Sequence, residues 1–232
     1  MADSVKRQYV SFVFFKINKD FRKLPEAERE SAKKSFIEAA ETFKKEGILL
    51  SYSTVGFKAD VDLMLWRISY DLDAIQRQTS ALMKSDLGPY LQTDASYLSM
   101  TKRSTYIDKH QHVGGGEESR TNIFPGRFKY LFVYPFVKTR EWYLLSKEVR
   151  QKVMDEHIRV GNLYPSVKLN TTYSFGLDDQ DFVVAFETDT PQDFLDLVMA
   201  LRETEGSRYT VRDTPLYTCR LMEMKEALDL IG

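Results

Sequence analysis

Apolar and polar residues along this 232-residue chain switch between a strand-like and a helix-like period, and the switches outline its elements. YVSFVFFKI (Tyr9 to Ile17) is rich in β-branched and aromatic residues and predicts a strand. Pro25 to Glu46 predicts a helix, with Pro in its first turn and Gly47 just past its end. LMLWRISY (Leu63 to Tyr70) predicts a second strong strand. Asp71 then caps a helix carrying Ile75, Leu82 and Met83, and YLSMT (Tyr97 to Thr101) is strand-like.

The second half runs through the same order. KYLFVYPFV opens it, Ser146 caps a helix expected to end before Gly161, and TTYSFG (Thr171 to Gly176) leads to the buried strand DFVVAFE (Asp181 to Glu187). Thr190 caps another helix and Pro191 starts it; Phe194, Leu197, Val198 and Leu201 form one apolar face, and Gly206 ends it. PLYTC (Pro215 to Cys219) predicts a last short strand. Tyr9 to Tyr130 and Leu24 to Leu145 are each offset by 121 residues, and Gly56 to Gly176 by 120. Each half therefore reads βαββαβ, a ferredoxin-like unit. The expected class is α+β, two such repeats forming a dimeric α+β barrel subunit. The expected division is residues 1–101, a linker loop over 102–127, and residues 128–232 as the half that carries chemistry. The linker holds HQHVGGGEES and the basic residues Lys102, Arg103, Lys109, Arg120 and Arg127, and is expected to cover a pocket.

Composition narrows the function. At 43% hydrophobic and 29% charged residues the chain is globular, and a net charge of −1 argues against nucleic acid or an anionic membrane as main partner. One cysteine, Cys219, excludes an internal disulfide and fits a reducing cytoplasm. MADSVKRQYV lacks the apolar core of a signal peptide, and the longest mainly apolar run, Tyr130 to Val137, is too short to span a bilayer. A cytoplasmic location is expected.

Only three histidines are present, and His157 alone lies in a strongly helical pattern. In SKEVRQKVMDEHIRVG, the residues Val149, Val153 and His157 are spaced i, i+4, i+8 and share a face, while Lys147, Arg150, Gln151, Lys152, Asp155 and Glu156 fill the solvent side. His157 thus points inward. One reading is a core histidine satisfied by a carbonyl or carboxylate. The other is a single proximal ligand to haem iron, since the porphyrin supplies the remaining in-plane donors. A purely protein-built metal site is disfavoured, because the pattern is not HExxH and no second His or Cys is placed to join it. The residue 121 positions before His157 is Phe36, so the first half has an aromatic core residue where the second has imidazole.

YPFVKTREWYLL, His157, TTYSFGLDDQDFVVAFETD and LRETEGSRYTVRDTP resemble the chlorite dismutase superfamily, and within it the coproheme decarboxylase (HemQ) branch. The resemblance covers nearly the whole chain and is strongest from Phe124 to Thr218. It implies a homopentamer that binds iron porphyrin in its second half, with His157 as proximal iron ligand. It also implies the last step of coproporphyrin-dependent haem synthesis, in which hydrogen peroxide drives removal of two propionate carboxyl groups from iron coproporphyrin III to give haem b. By resemblance Tyr134 matches the tyrosine that becomes a radical and abstracts hydrogen from the propionate β-carbon. Lys138 matches the basic residue that binds a propionate and delivers a proton. Positions i and i+4 of one strand share a face, so the pair is expected to meet one propionate. Bare of the resemblance, Tyr134 reads as core and Lys138 as a solvated strand end; Trp142 and Tyr143 read as packing at the strand-to-helix junction.

The departures bear on activity. Chlorite-splitting members carry a distal arginine; here that position is Leu169, or Asn170 if a one-residue gap moves, and many decarboxylases have glutamine there. Chlorite dismutation is therefore disfavoured. One branch uses a distal histidine from the linker, which puts His110 or His112 in play. Arg120, Arg127 and Lys129 are further candidates for propionate carboxylates. Glu203 and Glu205 are candidates to accept from the other imidazole N–H of His157. A non-catalytic haem-binding or haem-handling role of the same fold is the alternative function.

Overall fold

The computed structural model describes residues 6–104, 106 and 122–232. The chain divides into two compact units, one of Met1–Met100 with Tyr217–Gly232, the other of Thr101–Leu216. His110, His112 and Arg120 lie outside the described residues.

In the first unit the chain runs β1 (Tyr9–Ile17), α1 (Glu26–Glu41), β2 (Gly47–Ser53), β3 (Leu63–Ser69), α2 (Leu72–Lys84) and β4 (Leu91–Met100). Gly47 is required where it stands, because a β-carbon there would strike the Ile68 carbonyl of the neighbouring strand. The Asp71 carboxylate accepts from Asp73 N and caps α2 as expected. β1 lies between β3 and β4, and β2 pairs with β3, all antiparallel, giving the order β4-β1-β3-β2. Val13, Phe15, Leu63 and Leu65 of this sheet meet Ala32, Phe36 and Ala40 of α1 and Ala74, Ile75 and Leu82 of α2 in one continuous core.

The second unit repeats the plan with β5 (Tyr130–Lys138), a short α3 (Arg140–Leu144), α4 (Lys147–Gly161), β6 (Lys168–Tyr173), β7 (Phe182–Thr188), α5 (Pro191–Arg202) and β8 (Thr210–Arg212). Its order is β6-β7-β5-β8, again antiparallel. The two ferredoxin-like units expected from the repeat are thus present. The helix expected to end before Gly161 runs through it.

One boundary differs. The strand expected at Pro215 to Cys219 is β9 (Tyr217–Leu221), and with α6 (Met224–Asp229) it belongs to the first unit rather than to residues 128–232. β9 pairs with β2, Ser51 Oγ donates to the Met222 carbonyl at 2.7 Å, and Met224, Ala227, Leu228 and Ile231 enter the first unit's core. The fourth strand of the second repeat is instead the three-residue β8.

Candidate functional site

Strand alternation and register sort the second unit's sheet into two faces. On one face Phe132, Tyr134 and Phe136 of β5 stand opposite Phe186, Val184 and Phe182 of β7, which stand opposite Leu169, Thr171 and Tyr173 of β6. The other face carries Leu131, Val133, Ala185, Glu187, Asn170 and Thr172. This parity puts Leu169 and Asn170 on opposite faces. Leu169 shares the Tyr134 face and is 47% exposed, while Asn170 is buried on the opposite face, donating to Glu187 Oε1 at 2.9 Å.

Tyr134 is buried among Phe132, Val184, Phe186, Phe194 and Leu197, with its ring 6.1 Å from that of Phe186. Its hydroxyl makes no hydrogen bond among the described residues. Burial pushes its phenol well above the usual range, with the charge of Asp213 adding and that of Arg202 opposing.

This cluster draws on β5, β7, α5 and the turn residues Tyr164 and Val167, and contains no side chain of α4. That helix packs on α5 and on the 3-10 turn Glu205–Tyr209. Ser146 caps it by accepting from Val149 N at 3.3 Å. Val153 and Val160 are buried, Val149 is exposed, and His157 is half-buried.

The turn runs alongside the imidazole: a β-carbon on Gly206 would lie 4.0 Å from His157 Nδ1 and 3.5 Å from Val153 Cγ1. The Gly206 carbonyl accepts from Lys138 Nζ at 2.7 Å. That ammonium sits 4.8 Å from the Trp142 ring centre and 5.3 Å from that of Phe136. Burial lowers Lys138 to about 8. His157 is depressed to about 4, first by burial and then by the Lys138 charge, with Glu156 opposing. At neutral pH the imidazole is uncharged, the form that coordinates a metal.

Other residues fall differently from expectation. Glu203 and Glu205 are exposed; Glu205 Oε1 accepts from Arg208, and its backbone N–H donates to Glu156 Oε2 at 2.9 Å. Neither carboxylate serves the imidazole. Arg127 is exposed, its backbone N–H donates to Glu187 Oε2 at 3.2 Å, and its charge helps hold Lys168 below its usual value. Both contacts belong to the sheet face opposite Tyr134, so Arg127 is not brought to that residue. Lys129 is exposed over the Tyr130 ring. Trp142 packs the strand-to-helix junction as read, against Tyr209 at 5.3 Å.

Sequence reasoning missed Asp181, whose Oδ2 accepts from both Lys138 N at 2.8 Å and Tyr143 Oη at 2.7 Å. It also missed the Gly206 carbonyl, which has no side-chain signature. The DTP turn containing Asp213 was within the quoted motif but carried no role.

The family model described as chlorite dismutase matches residues 28–222. A coproheme decarboxylase of Mycolicibacterium smegmatis is 32% identical over 190 residues, covering 78% of this chain and 79% of its own. A chlorite dismutase of Ideonella dechloratans is 30% identical over 207 residues, covering 88% of this chain and 72% of its own. Among solved structures, a variant of the chlorite dismutase from Candidatus Nitrospira defluvii superposes with a TM-score of 0.86 at 28% identity, covering 98% of this chain and 96% of the other. The two-unit α+β fold is thus that of a protein group with more than one named activity, and the chain belongs to the chlorite dismutase family.

Proposed function

We propose that the chain is a peroxide-dependent coproheme decarboxylase, converting iron coproporphyrin III to haem b. The observation that carries this reading is the parity at β6. Leu169 stands on the Tyr134 face, Asn170 is turned to Glu187 on the other, and β6 and β7 contain no arginine. The wall that faces Tyr134 therefore offers a buried tyrosine and apolar side chains but no guanidinium from these strands, which suits tyrosine-mediated oxidation better than chlorite splitting.

The side chains fit an iron porphyrin. His157 is neutral and half-buried, α4 stands apart from the sheet cluster, and the facing sheet is aromatic and aliphatic. His157 would hold the iron, while Phe132, Tyr134, Phe186 and Leu169 would wall the macrocycle. Bound iron supplies the redox centre at which peroxide is reduced. Burial keeps Tyr134 protonated, so it serves as a hydrogen-atom carrier: it gives up its phenolic hydrogen and recovers one from the propionate β-carbon. For each carboxyl group lost, one propionate, one hydrogen peroxide and one proton give one vinyl group, one carbon dioxide and two waters. Lys138 is already engaged by Gly206 and flanked by two rings, so its contribution runs through His157 and the Glu205–Tyr209 turn as well as through any propionate.

The test is titration of the purified protein with iron coproporphyrin III, followed at the Soret band, then peroxide addition and mass analysis. Stepwise loss of two carboxyl groups is expected, and Tyr134→Phe should keep binding while stopping that loss. Binding without conversion would point to haem handling instead. No binding would return His157 to the role of a core histidine.

A further inference from the structure

We propose that the Glu205–Tyr209 turn is the seat of His157, and that Glu156, the residue before the histidine, is the positioning residue that fixes α4 to it; this deepens the reading of His157 as an iron ligand and rests on it. A ligating imidazole is normally oriented by a partner on its second nitrogen. Among the described residues nothing hydrogen-bonds the His157 ring, and no side chain of α4 enters the sheet cluster. The aim of the ring therefore depends on what holds the helix.

The turn is held first from the sheet. Lys138 Nζ donates to the Gly206 carbonyl at 2.7 Å, Thr139 N donates to the Tyr209 carbonyl at 2.9 Å, and the Tyr209 ring lies 5.3 Å from that of Trp142. These contacts tie the turn to the end of β5, the strand that carries Tyr134, and to α3 just beyond it. Gly206 is buried, and its backbone closes the space beside the imidazole. A β-carbon added there would already be in ordinary contact with Val153 Cγ1 at 3.5 Å and His157 Nδ1 at 4.0 Å.

The helix is then held to the turn at a second place. Glu156 Oε2 accepts from Glu205 N at 2.9 Å. Periodicity alone puts Glu156 on the solvent side, yet it is half-buried. Successive side chains leave a helix axis about 100° apart. Val153 and His157 thus meet Gly206 along one line of the helix, and Glu156 meets Glu205 along another. Apolar contact along one line lets a helix roll about its axis; a hydrogen bond along a second line stops it. Glu156 and His157 are neighbours in the chain, so the carboxylate acts on the ring through a single peptide unit. Its oxygen is engaged by the turn, and its role is to position the ring.

In the porphyrin-free protein, Glu156→Ala should speed hydrogen exchange of the Glu205 amide on the order of 10-fold, and Glu156→Gln, which keeps an oxygen acceptor, should not. The bond is exposed, so neither variant should move the urea unfolding midpoint measurably. In the reduced protein loaded with iron coproporphyrin III, Glu156→Ala should broaden or split the iron–histidine stretching band in resonance Raman spectra. It should also raise the half-saturation point of the Soret titration about 10-fold, and Glu156→Gln should restore both. Exchange, band and half-saturation moving together, with an unmoved midpoint and rescue by glutamine, support the proposal. An unaltered band in Glu156→Ala overturns it, and so does loss of folding in that variant. A band altered by Glu205→Gln instead would mean that a carboxylate of the turn serves the imidazole directly, which also overturns it. If the loaded protein removes no carboxyl group, the decarboxylase reading falls by itself, and the band still decides the role of Glu156. If His157→Phe leaves the Soret change intact, His157 is no ligand and the proposal falls with it.

Discussion

The two units share one topology and differ in how the first long helix meets its sheet. In the first unit α1 drives Ala32, Phe36 and Ala40 into the strands, Phe36 is fully buried, and helix and sheet form a single core. In the second unit the sheet cluster closes with α5, Tyr164, Val167 and Leu216, and α4 leans on α5 and the Glu205–Tyr209 turn. His157, the counterpart of Phe36 in the repeat, stays half-buried. Burying aromatic area is a large source of stability, and α1 supplies it at Phe36 where α4 at His157 does not.

The largest test of this contrast is to make α4 resemble α1. His157→Phe should abolish the Soret change on adding iron coproporphyrin III while leaving the porphyrin-free protein at least as stable as before, as measured by urea unfolding. Loss of folding in that variant would mean the imidazole is a structural group. The reciprocal change, Phe36→Ala, should cost about 3–5 kcal/mol in the same measurement, because it empties a closed core. An effect as small as that of His157→Ala, expected near 1 kcal/mol, would erase the distinction between the units.

A smaller effect sharpens the two faces of β6. Asn170→Ala should cost about 1–3 kcal/mol, because it strips a donor from the buried Glu187 carboxylate. Leu169→Ala, at a half-exposed position, should cost about 0.5 kcal/mol or less. The reverse ranking would place the wrong residue on the Tyr134 face.

The smallest test is acid. Free imidazole in the unfolded chain takes its proton below about 6.5, whereas folded His157 holds out to about 4. The unfolded state therefore binds more protons across that window, and stability tied to neutral His157 is intact above it and lost as pH falls through it. Unfolding midpoints of the parent protein should drop between pH 6.5 and pH 4 relative to His157→Phe. Lys138→Met should move His157 titration upward, because its charge is one cause of the depression.

Much of this was legible in the pattern of residues. β1, β3, β5 and β7 fall within a residue of the apolar runs that predict them, and the Asp71 and Ser146 caps accept from the backbone as their chemistry demands. Spacing put His157 on one face with Val149 and Val153, of which Val153 is buried, His157 half-buried and Val149 exposed. What was illegible depends on partners distant in sequence. PLYTC reads equally well as the last strand of either unit, and only its pairing with β2 assigns it. Near the start of β4, Gln92 to Asp94 are polar and exposed and carry no alternation to read. Leu169 and Asn170 were interchangeable in an alignment with a movable gap, yet a strand allows no such freedom: one step of register exchanges the faces. Lys138 matches a propionate-binding residue by resemblance, and the Gly206 carbonyl to which it donates is an acceptor that no side-chain pattern announces.

The placement of β9 and α6 has a consequence for how the protein is made. Residues 217–232 complete the first unit but follow the second in the chain, so the second unit is in effect an insertion in the first. A ribosome delivers β1 to β4 early, then the whole second unit, and only then the segment that seals the first. Until then α1 and β2 wait with the surfaces that will receive Leu228, Ile231 and β9 uncovered, and Lys33 lacks Asp229. Such a chain exposes apolar surface longest in its first unit, so its dependence on chaperones should be governed by that unit and by how soon β9 and α6 arrive.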